Sequence, residues 1–264
     1  MCELLGMSAN IPADICFSFA GLMRRGGHTG PHKDGWGIAF YEGKGCRLFH
    51  DPDPSSRSEI AKMIRHYPIK SKLVLCHIRK ANRGRVCLEN THPFLRQVWG
   101  RNWTFSHNGQ LRGIKKLPLK HFRPIGTTDS EHAFCWLLDQ VVETFPEPPR
   151  RPQTLWSYIR KWADALSEFG IFNFMLSDSK FLYAHCSTKL AWVTRRAPFP
   201  LNKAKLVDDE LELDFQKAMA LDDIITIIAT APLTQNEEWN IAIKGDFLVF
   251  ADGQLLHREN KLSL

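Results

Sequence analysis

The chain has 264 residues, of which 44% are hydrophobic, so it can bury a large core. Charged residues make up 24%, and no segment lacks apolar residues for long, which excludes a disordered or low-complexity chain. The formal net charge of +7 permits an anionic partner but does not identify one.

The N-terminal segment does not have the order of a secretory signal. Glu3 follows Cys2, and the basic pair Arg24 and Arg25 comes after the mildly apolar stretch rather than before it. Nowhere do about 18 uninterrupted apolar residues occur, so the sequence offers no transmembrane helix. We therefore expect a cytoplasmic protein without a membrane partner.

The cysteines are seven in number, scattered, and without a C-x-x-C pair. This pattern argues against a disulfide framework and against a structural zinc site, and predicts reduced thiols. Most of them are explained as small buried hydrophobes, so a role for any one cysteine needs an independent reason.

In the first third of the chain, segments with the pattern of β-strands are separated by glycines. Residues 35–41 and 46–49 flank a Gly-rich turn and are predicted to form a hairpin. The apolar runs 72–78 and 103–106 are predicted to be buried strands.

Two helices are predicted next. Thr128 and Glu131 fit a capping box at the start of the first helix, which the proline-rich stretch 146–149 ends. The second helix is predicted from about Thr154 to Phe169, with Gly170 as its C-cap.

Basic and aromatic residues alternate in segments 101–105 and 156–162, as in some nucleic-acid-binding proteins. Helical spacing favours another interpretation of the second segment, with Arg160 and Lys161 solvated opposite an apolar face. That face comprises Leu155, Ile159, Trp162, Ala163 and Leu166. We therefore do not expect a nucleic-acid partner.

Strand signals return after the helices, and the order of strands, helices and strands favours an α+β fold. The predicted strands are 171–176, 181–184, 190–194, 224–229 and 247–250. The proline-rich stretch 146–152 is short and lies between two helices, so we interpret residues 1–264 as a single domain.

Cys2 becomes the N-terminal residue when Met1 is removed, and it then carries a thiol and an α-amine. The reference pKa is about 8.5 for the thiol and about 7.7–8.0 for the amine, so the amine can accept the thiol proton near neutral pH. A cysteine at this position can also be accidental.

Three further blocks carry site candidates, each with a simpler alternative. Asn108 and the N–H of Gly109 follow a predicted strand and suit an oxyanion hole, or form an ordinary Asn-Gly turn. Arg79 can bind a carboxylate through its planar fork, or form a surface ion pair. Asp129 lies in the first turn of a helix, where a carboxylate is stabilised with or without a ligand.

Six short blocks, of which Cys2 is the first, follow one another in an order that resembles the class II glutamine amidotransferase domain over about residues 2–195. These blocks are residues 34–37, 77–79, 90–94, 107–109 and 126–129, together with Cys2 itself. Residues 231–239 resemble the free-standing YafJ-type branch of that family.

The resemblance implies an N-terminal-nucleophile hydrolase fold, a four-layer αββα sandwich of two antiparallel sheets. It implies that Cys2 attacks the side-chain amide of glutamine or a γ-glutamyl compound and forms a thioester. Arg79 would bind the substrate α-carboxylate, Asp129 its α-ammonium, and Asn108 with Gly109 the oxyanion. The resemblance implies neither a metal nor an organic cofactor, and the segment after residue 195 is too short to be an attached synthase. Ammonia would therefore go to a separate synthase subunit or to solvent.

Several positions near the expected pocket depart from the family pattern or have two interpretations. Asn82 can bind a carboxylate as threonine does, whereas Lys80 and Arg83 add charge beside the pocket. Trp36 either lines the mouth of the site or is a buried strand residue. His92 is placed at the substrate pocket; with His77 and His107 it is interpreted as a packing or supporting group rather than a metal ligand.

Two rival functions remain. A non-catalytic relative of the same fold would use the basic surface to bind nucleic acid or an acidic partner, but it would not need a thiol at position 2. A papain-like hydrolase using Cys76 or Cys135 would need a local signature, and none surrounds those residues.

Overall fold

The structure is a computed structural model that describes residues 2–67, 69–81 and 84–260. It contains a seven-stranded sheet, a six-stranded sheet and a two-stranded ribbon, and the strands of each pair antiparallel. In spatial order, the first sheet comprises β13 (Asn240–Ile241), β9 (Ala191–Arg195), β12 (Ile225–Ala229), β1 (Glu3–Ala13), β4 (Ser71–Ile78), β2 (Trp36–Glu42) and β3 (Gly45–Asp51).

The second sheet comprises β15 (Gln254–Asn260), β14 (Asp246–Ala251), β8 (Leu182–His185), β7 (Gly170–Ser177), β6 (Arg101–Leu111) and β5 (Phe94–Val98). The ribbon pairs β10 (Lys203–Lys205) with β11 (Glu212–Asp214). The helices are α1 (Cys16–Arg25), α2 (Glu59–His66), α3 (Asp129–Thr144), α4 (Pro152–Ser167) and the single turn α5 (Phe215–Ala218).

Three apolar cores separate four layers. One core lies between α1, α2 and the seven-stranded sheet, and another between α3, α4 and the six-stranded sheet. The third lies between the two sheets, where Leu4 and Leu75 of one sheet face Met175 and Leu182 of the other. This arrangement confirms the predicted α+β, αββα sandwich.

The predicted hairpin and the strands after α4 are present within a few residues of their expected bounds. The first outer helix layer, α1 and α2, was not predicted. Phe19 and Leu22 of α1 are fully buried against the sheet, but Ser18 and Gly21 interrupt the apolar run in this short segment, so its helical period is weak.

Both predicted helices form, with local corrections. Thr128 Oγ accepts the N–H of Glu131 at 3.1 Å, but the Glu131 carboxylate accepts from Ile125 and Gly126 instead of completing the capping box. The second helix ends at Ser167, and Gly170 begins β7 rather than capping it.

The apolar face predicted for α4 is buried as expected, but Arg160 is not solvated. The residue is 4% exposed, and its guanidinium pairs with Asp164 at 2.5 Å, because one turn of helix places the carboxylate beside it. Trp103 and Phe105 of the other basic-aromatic segment are fully buried in the core. Of the aromatic residues in these two segments, Tyr158 alone is exposed, so neither segment presents a row of aromatic rings for stacking on bases.

Within the described ranges, no helix is long and apolar enough to cross a membrane. The cytoplasmic location stays a prediction.

Candidate active site

Strand alternation directs the candidate side chains into the space between the two sheets. On β1, Leu4 lies in the inter-sheet core, so Cys2, two residues earlier, points the same way. On β4, Leu75 lies in that core, and His77 and Arg79, at two-residue intervals after it, lie on the same face. On β6 of the other sheet, Thr104 bonds to Tyr41 across the sheets and Asn108 bonds to Cys2. The cluster lies where β1 begins and β4 ends.

The Cys2 thiol contacts the backbone that follows β4. The N–H of Lys80 donates to Cys2 Sγ at 3.3 Å, and Sγ lies 3.6 Å from the Lys80 carbonyl oxygen. Burial is the strongest influence on this group and raises the pKa of the Cys2 thiol above its usual value. The Lys80 N–H and the Arg79 charge act in the opposite direction. A buried, largely protonated thiol needs a base before it can act as a nucleophile.

Asn108 holds the backbone of Cys2 at both of its polar groups. Its Oδ1 accepts from Cys2 N at 2.8 Å, and its Nδ2 donates to Cys2 O at 2.7 Å. Asn108 is 1% exposed and joins the two sheets at this point. One hydrogen of the side-chain amide is used in this contact, and the second remains for another acceptor.

Gly109 lies on β6 beyond the part that pairs with β5, and it lines the cavity beside Cys2. A Cβ atom at this position would overlap the carbonyl oxygen of Ile171 on β7. The position therefore requires glycine, whose main chain borders the cavity.

Arg79 is a buried cation at the wall of the same cavity. It is 4% exposed, and its NH1 donates to the carbonyl oxygens of Arg85 at 3.0 Å and Asp34 at 3.4 Å. In the part of the chain that the structure describes, no carboxylate forms an ion pair with it. This position suits an anion supplied from outside the chain, because a buried unpaired charge is otherwise costly.

Asp129 begins α3 and also lines the cavity. Its Oδ2 accepts the N–H of Leu111 at 2.7 Å, and its Oδ1 accepts the N–H of Ser130 at 3.0 Å. These bonds hold the carboxylate at the end of β6, where its remaining lone pairs are available to a cation.

Three histidines support the cavity. His107 lies between Ser130 Oγ, at 2.8 Å from Nδ1, and the Ile171 carbonyl oxygen, at 3.0 Å from Nε2. His92 packs against His77 with their ring centroids 4.2 Å apart and the rings tilted by 41°. Burial lowers the pKa of all three, to about 3 for His77. They are therefore neutral near pH 7.

The cavity has a volume of about 680 Å³. Its lining includes Cys2, Arg79, His92, Gly109 and Asp129, so five of the predicted site residues meet at one place. Asn108 supports the cavity from behind Cys2 rather than lining it.

Trp36 lies elsewhere. It is fully buried on the helix side of β2, where its ring lies 5.6 Å from that of Phe19. Its parity with Ile38 directs it away from the inter-sheet space, which corrects its assignment to the mouth of the site. Asn82, together with Arg83, lies outside the described residues.

The sequence analysis missed one wall of the cavity, the segment Gln110–Lys115 together with Thr127. Arg112 and Lys115 were not candidates because they follow the predicted strand in a stretch without a motif. Asp34 belongs to the block 34–37, but no role was predicted for it from the sequence. Its Oδ2 accepts the N–H of Ala81 at 2.7 Å and so positions the loop after β4.

Among the described residues, no three His, Cys, Asp or Glu side chains are grouped to hold a metal ion.

The fold and this site agree with one protein family. Residues 1–263 match the sequence profile of class II glutamine amidotransferases, and the chain belongs to that family.

Close relatives support the same assignment. A protein of Escherichia coli provisionally named as the glutamine amidotransferase YafJ is 57% identical over 254 residues, covering 96% of this chain and 99% of the relative. A Haemophilus influenzae protein provisionally named as a glutamine amidotransferase is 46% identical, covering 96% of this chain and 85% of its own length.

Solved structures agree on the fold. A Pseudomonas aeruginosa structure described as a predicted glutamine amidotransferase has a TM-score of 0.76 and 48% identity, and covers 97% of this chain and 100% of its own. The glutamine phosphoribosylpyrophosphate amidotransferase of B. subtilis, in complex with ADP and GMP, has a TM-score of 0.60 at 14% identity. It covers 98% of this chain and 49% of its own, and it shows the shared sandwich alone.

Proposed function

We propose that this chain hydrolyses the side-chain amide of glutamine or of another γ-glutamyl compound, with Cys2 as the nucleophile. The thiol attacks the γ-carbonyl carbon, and the amide nitrogen leaves as ammonia or an amine after it takes up a proton. Water then attacks the γ-glutamyl thioester, which releases glutamate and restores the thiol. The family assignment supports glutamine amide hydrolysis in general; the roles of individual residues are our inference.

The base in this proposal is the α-amine of Cys2 after removal of Met1. The main-chain nitrogen of Cys2 lies 2.8 Å from Asn108 Oδ1. As an amine it donates one hydrogen to Asn108 and keeps its lone pair for the thiol proton. Because burial raises the pKa of the thiol, an adjacent base is needed near neutral pH.

The observation that carries the proposal is the meeting of a nucleophile with two opposite charges in one cavity. Cys2, Arg79 and Asp129 all line it. An α-amino acid has a carboxylate and an ammonium at one end, so Arg79 and Asp129 can hold that end while the γ-carbonyl reaches Cys2. The second hydrogen of Asn108 Nδ2 and the N–H of Gly109 are the proposed oxyanion donors.

We further propose that residues 1–264 act as one domain, because both sheets contribute to the one site. The released ammonia passes to a separate synthase subunit or to solvent. The alternative is a non-catalytic protein that binds nucleic acid or an acidic partner through its basic surface, and such a protein has no need of a cysteine that lines the cavity.

Mass spectrometry of the intact protein with a diazo-ketone glutamine analogue tests this proposal. The parent protein should begin at Cys2 and gain one adduct, on Cys2, with loss of ammonia release from glutamine. Cys2→Ser should gain none. Cys87→Ser is the matched control, because Cys87 is another partly exposed thiol and its loss should leave the adduct in place. An adduct on a different cysteine, or an active protein that retains Met1, would contradict the mechanism.

A further inference from the structure

The cavity contains more positive charge than a γ-glutamyl group can use. Its lining includes the cations Arg79, Lys80, Arg112 and Lys115, and Asp129 is its only acidic residue among those described. His92 and His107 add no charge near pH 7, because burial lowers the pKa of both. Under the proposed function Arg79 binds the α-carboxylate and Asp129 the α-ammonium. Lys80, Arg112 and Lys115 then remain without a substrate group.

Other protein groups do not neutralise these three cations. In the described part of the chain, none of them forms an ion pair with a carboxylate. Lys115 Nζ donates to the Thr127 carbonyl oxygen at 2.6 Å, which leaves two of its hydrogens for other acceptors.

The positions of these cations are tied to the reacting groups. The N–H of Leu111 bonds to Asp129 Oδ2 at 2.7 Å, so Arg112 follows directly after the residue that Asp129 holds. Lys115 reaches back to Thr127, two residues before Asp129. On the other side, the Lys80 main chain contacts Cys2 Sγ, so the Lys80 side chain begins beside the nucleophile.

The size of the cavity also favours a ligand larger than glutamine. A volume of about 680 Å³ lies within the range of pockets that hold drug-sized ligands, and free glutamine is smaller than such ligands.

From these observations we propose that the preferred substrate is a γ-glutamyl amide whose leaving amine carries an anionic group, a carboxylate or a phosphate. This inference rests on the proposed function. The γ-glutamyl half is the same in every such substrate, so an additional negative charge and additional size belong on the amine. Arg112 and Lys115, with Lys80, are the residues that would select it. Arg112 and Lys115 are exposed, so each contact is weaker than a buried one.

Matched pairs of substrates test the proposal. One pair is γ-glutamylglycine and γ-glutamylglycinamide, which differ by one carboxylate on the leaving amine. The other is γ-glutamyl phosphoethanolamine and γ-glutamylethanolamine, which differ by one phosphate. The quantity measured is the ratio of kcat/KM for the anionic over the neutral member. We expect a ratio of about ten or more in at least one pair, and the pair with the larger ratio identifies the anion.

Charge-removing variants locate the effect. Arg112→Gln and Lys115→Gln should each lower the ratio about threefold, and the double variant about tenfold. Lys116→Gln is the matched control: it lies in the same turn and is exposed, but it does not line the cavity. It removes the same net charge and should keep the parent ratio.

A parent ratio near one in both pairs would overturn the inference, as would a double variant that keeps the parent ratio. If every γ-glutamyl compound is left intact and Cys2 gains no diazo-ketone adduct, the proposed function itself fails. Hydrolysis of neutral and anionic amides at equal rates, with an adduct on Cys2, would refute only the selection of an anionic amine.

Discussion

At the level of single residues, Asn108 makes more contacts than the role of oxyanion donor alone requires. It bonds to both the N and the O of Cys2, so it fixes the main chain from which the thiol extends. Motif reasoning placed an amide near the reacting carbonyl but gave no reason to expect this bond. The contact depends on two strands of different sheets, separated by about a hundred residues of chain.

We expect Asn108→Ala to lower kcat by about 10²–10³, because loss of one oxyanion donor alone has that effect. Asn108→Asp is the informative companion, since it keeps an acceptor for Cys2 N but removes the amide hydrogens. Steady-state kinetics with a γ-glutamyl amide measure both. If Asn108→Ala hydrolysed the substrate as fast as the parent, Asn108 would have no role in the chemistry.

Arg79→Lys should lower kcat/KM about 30-fold, which corresponds to a loss of about 2 kcal/mol, because lysine cannot donate two parallel hydrogen bonds to a carboxylate. The measurement compares a γ-glutamyl amide with its α-methyl ester. The parent should prefer the free carboxylate, and the variant should lose most of that preference.

Arg85→Lys is the control for Arg79, since Arg85 is an exposed arginine in the same loop and does not line the cavity. It should retain the parent's preference. A parent protein that treats acid and ester alike would remove the carboxylate role from Arg79.

The predicted site residues that line the cavity come from compact motifs. Cys2, Arg79, Gly109 and Asp129 each belong to a short block, and all of them line the cavity. Trp36 also belongs to a block, but the block does not determine which face of β2 is directed toward the site. That information lies in the pairing of β2 with β4, which a single sequence does not give.

At the level of elements, the start of α3 and the end of β6 form one unit. The Asp129 carboxylate accepts the Leu111 N–H and, in our proposal, also binds the substrate ammonium. These two tasks need different properties, since a backbone N–H needs only an oxygen acceptor, whereas an ammonium is bound best by a charged one.

Asp129→Asn should therefore reduce substrate binding more than stability. Its side-chain oxygen still accepts from Leu111, and loss of the charge at the helix N-terminus costs about 0.3–1 kcal/mol. We expect kcat/KM to fall at least tenfold, about 1.4 kcal/mol, with a small change in Tm. Thermal unfolding and kinetics on substrates with free and acetylated α-amines measure the two effects.

Asp129→Ala loses both functions and should also lower Tm clearly, because the Leu111 N–H loses its acceptor. If Asp129→Asn retained the parent's preference for the free amine, the carboxylate would serve only to join α3 to β6.

The failure to predict α1 has a physical cause. In α1, polar and small residues interrupt the apolar face, and the helix is stabilised by tertiary contacts such as the bond from Arg25 to Asp208 at 2.7 Å. Local periodicity does not contain such contacts. The strands β7, β8, β9, β12 and β14 were predicted within a few residues because their apolar runs are bounded by clear turns.

At the level of the whole molecule, the buried histidines should make stability depend on pH. Histidine takes up a proton near pH 6.5 in an unfolded chain, whereas burial keeps His77 neutral in the folded protein until about pH 3. Between these values the unfolded state binds more protons. The free energy of unfolding therefore falls as pH falls through this range, by about 1.4 kcal/mol per pH unit for each such histidine.

Urea unfolding at about pH 7 and about pH 5 should show this loss, and His77→Phe should show a smaller one, because it removes one of the groups that titrate only in the unfolded state. His66→Gln is the control, since His66 is exposed on α2. Equal stability of the parent at the two pH values would mean that the buried histidines do not remain neutral in the folded protein.

The position of the site across two sheets has a mechanical consequence. Cys2 and Arg79 are carried by the seven-stranded sheet, whereas Asn108 and Gly109 are carried by the six-stranded one. The thickness of the apolar layer between the sheets therefore sets the distance from the sulfur atom to the proposed oxyanion donors. Close-packed layers of this kind transmit a change in volume rather than absorb it. A Cβ added at Gly6 would lie 2.9 Å from Met175 Sδ, so one methyl group on β1 would displace the end of the Met175 side chain in the layer between the sheets without entering the cavity.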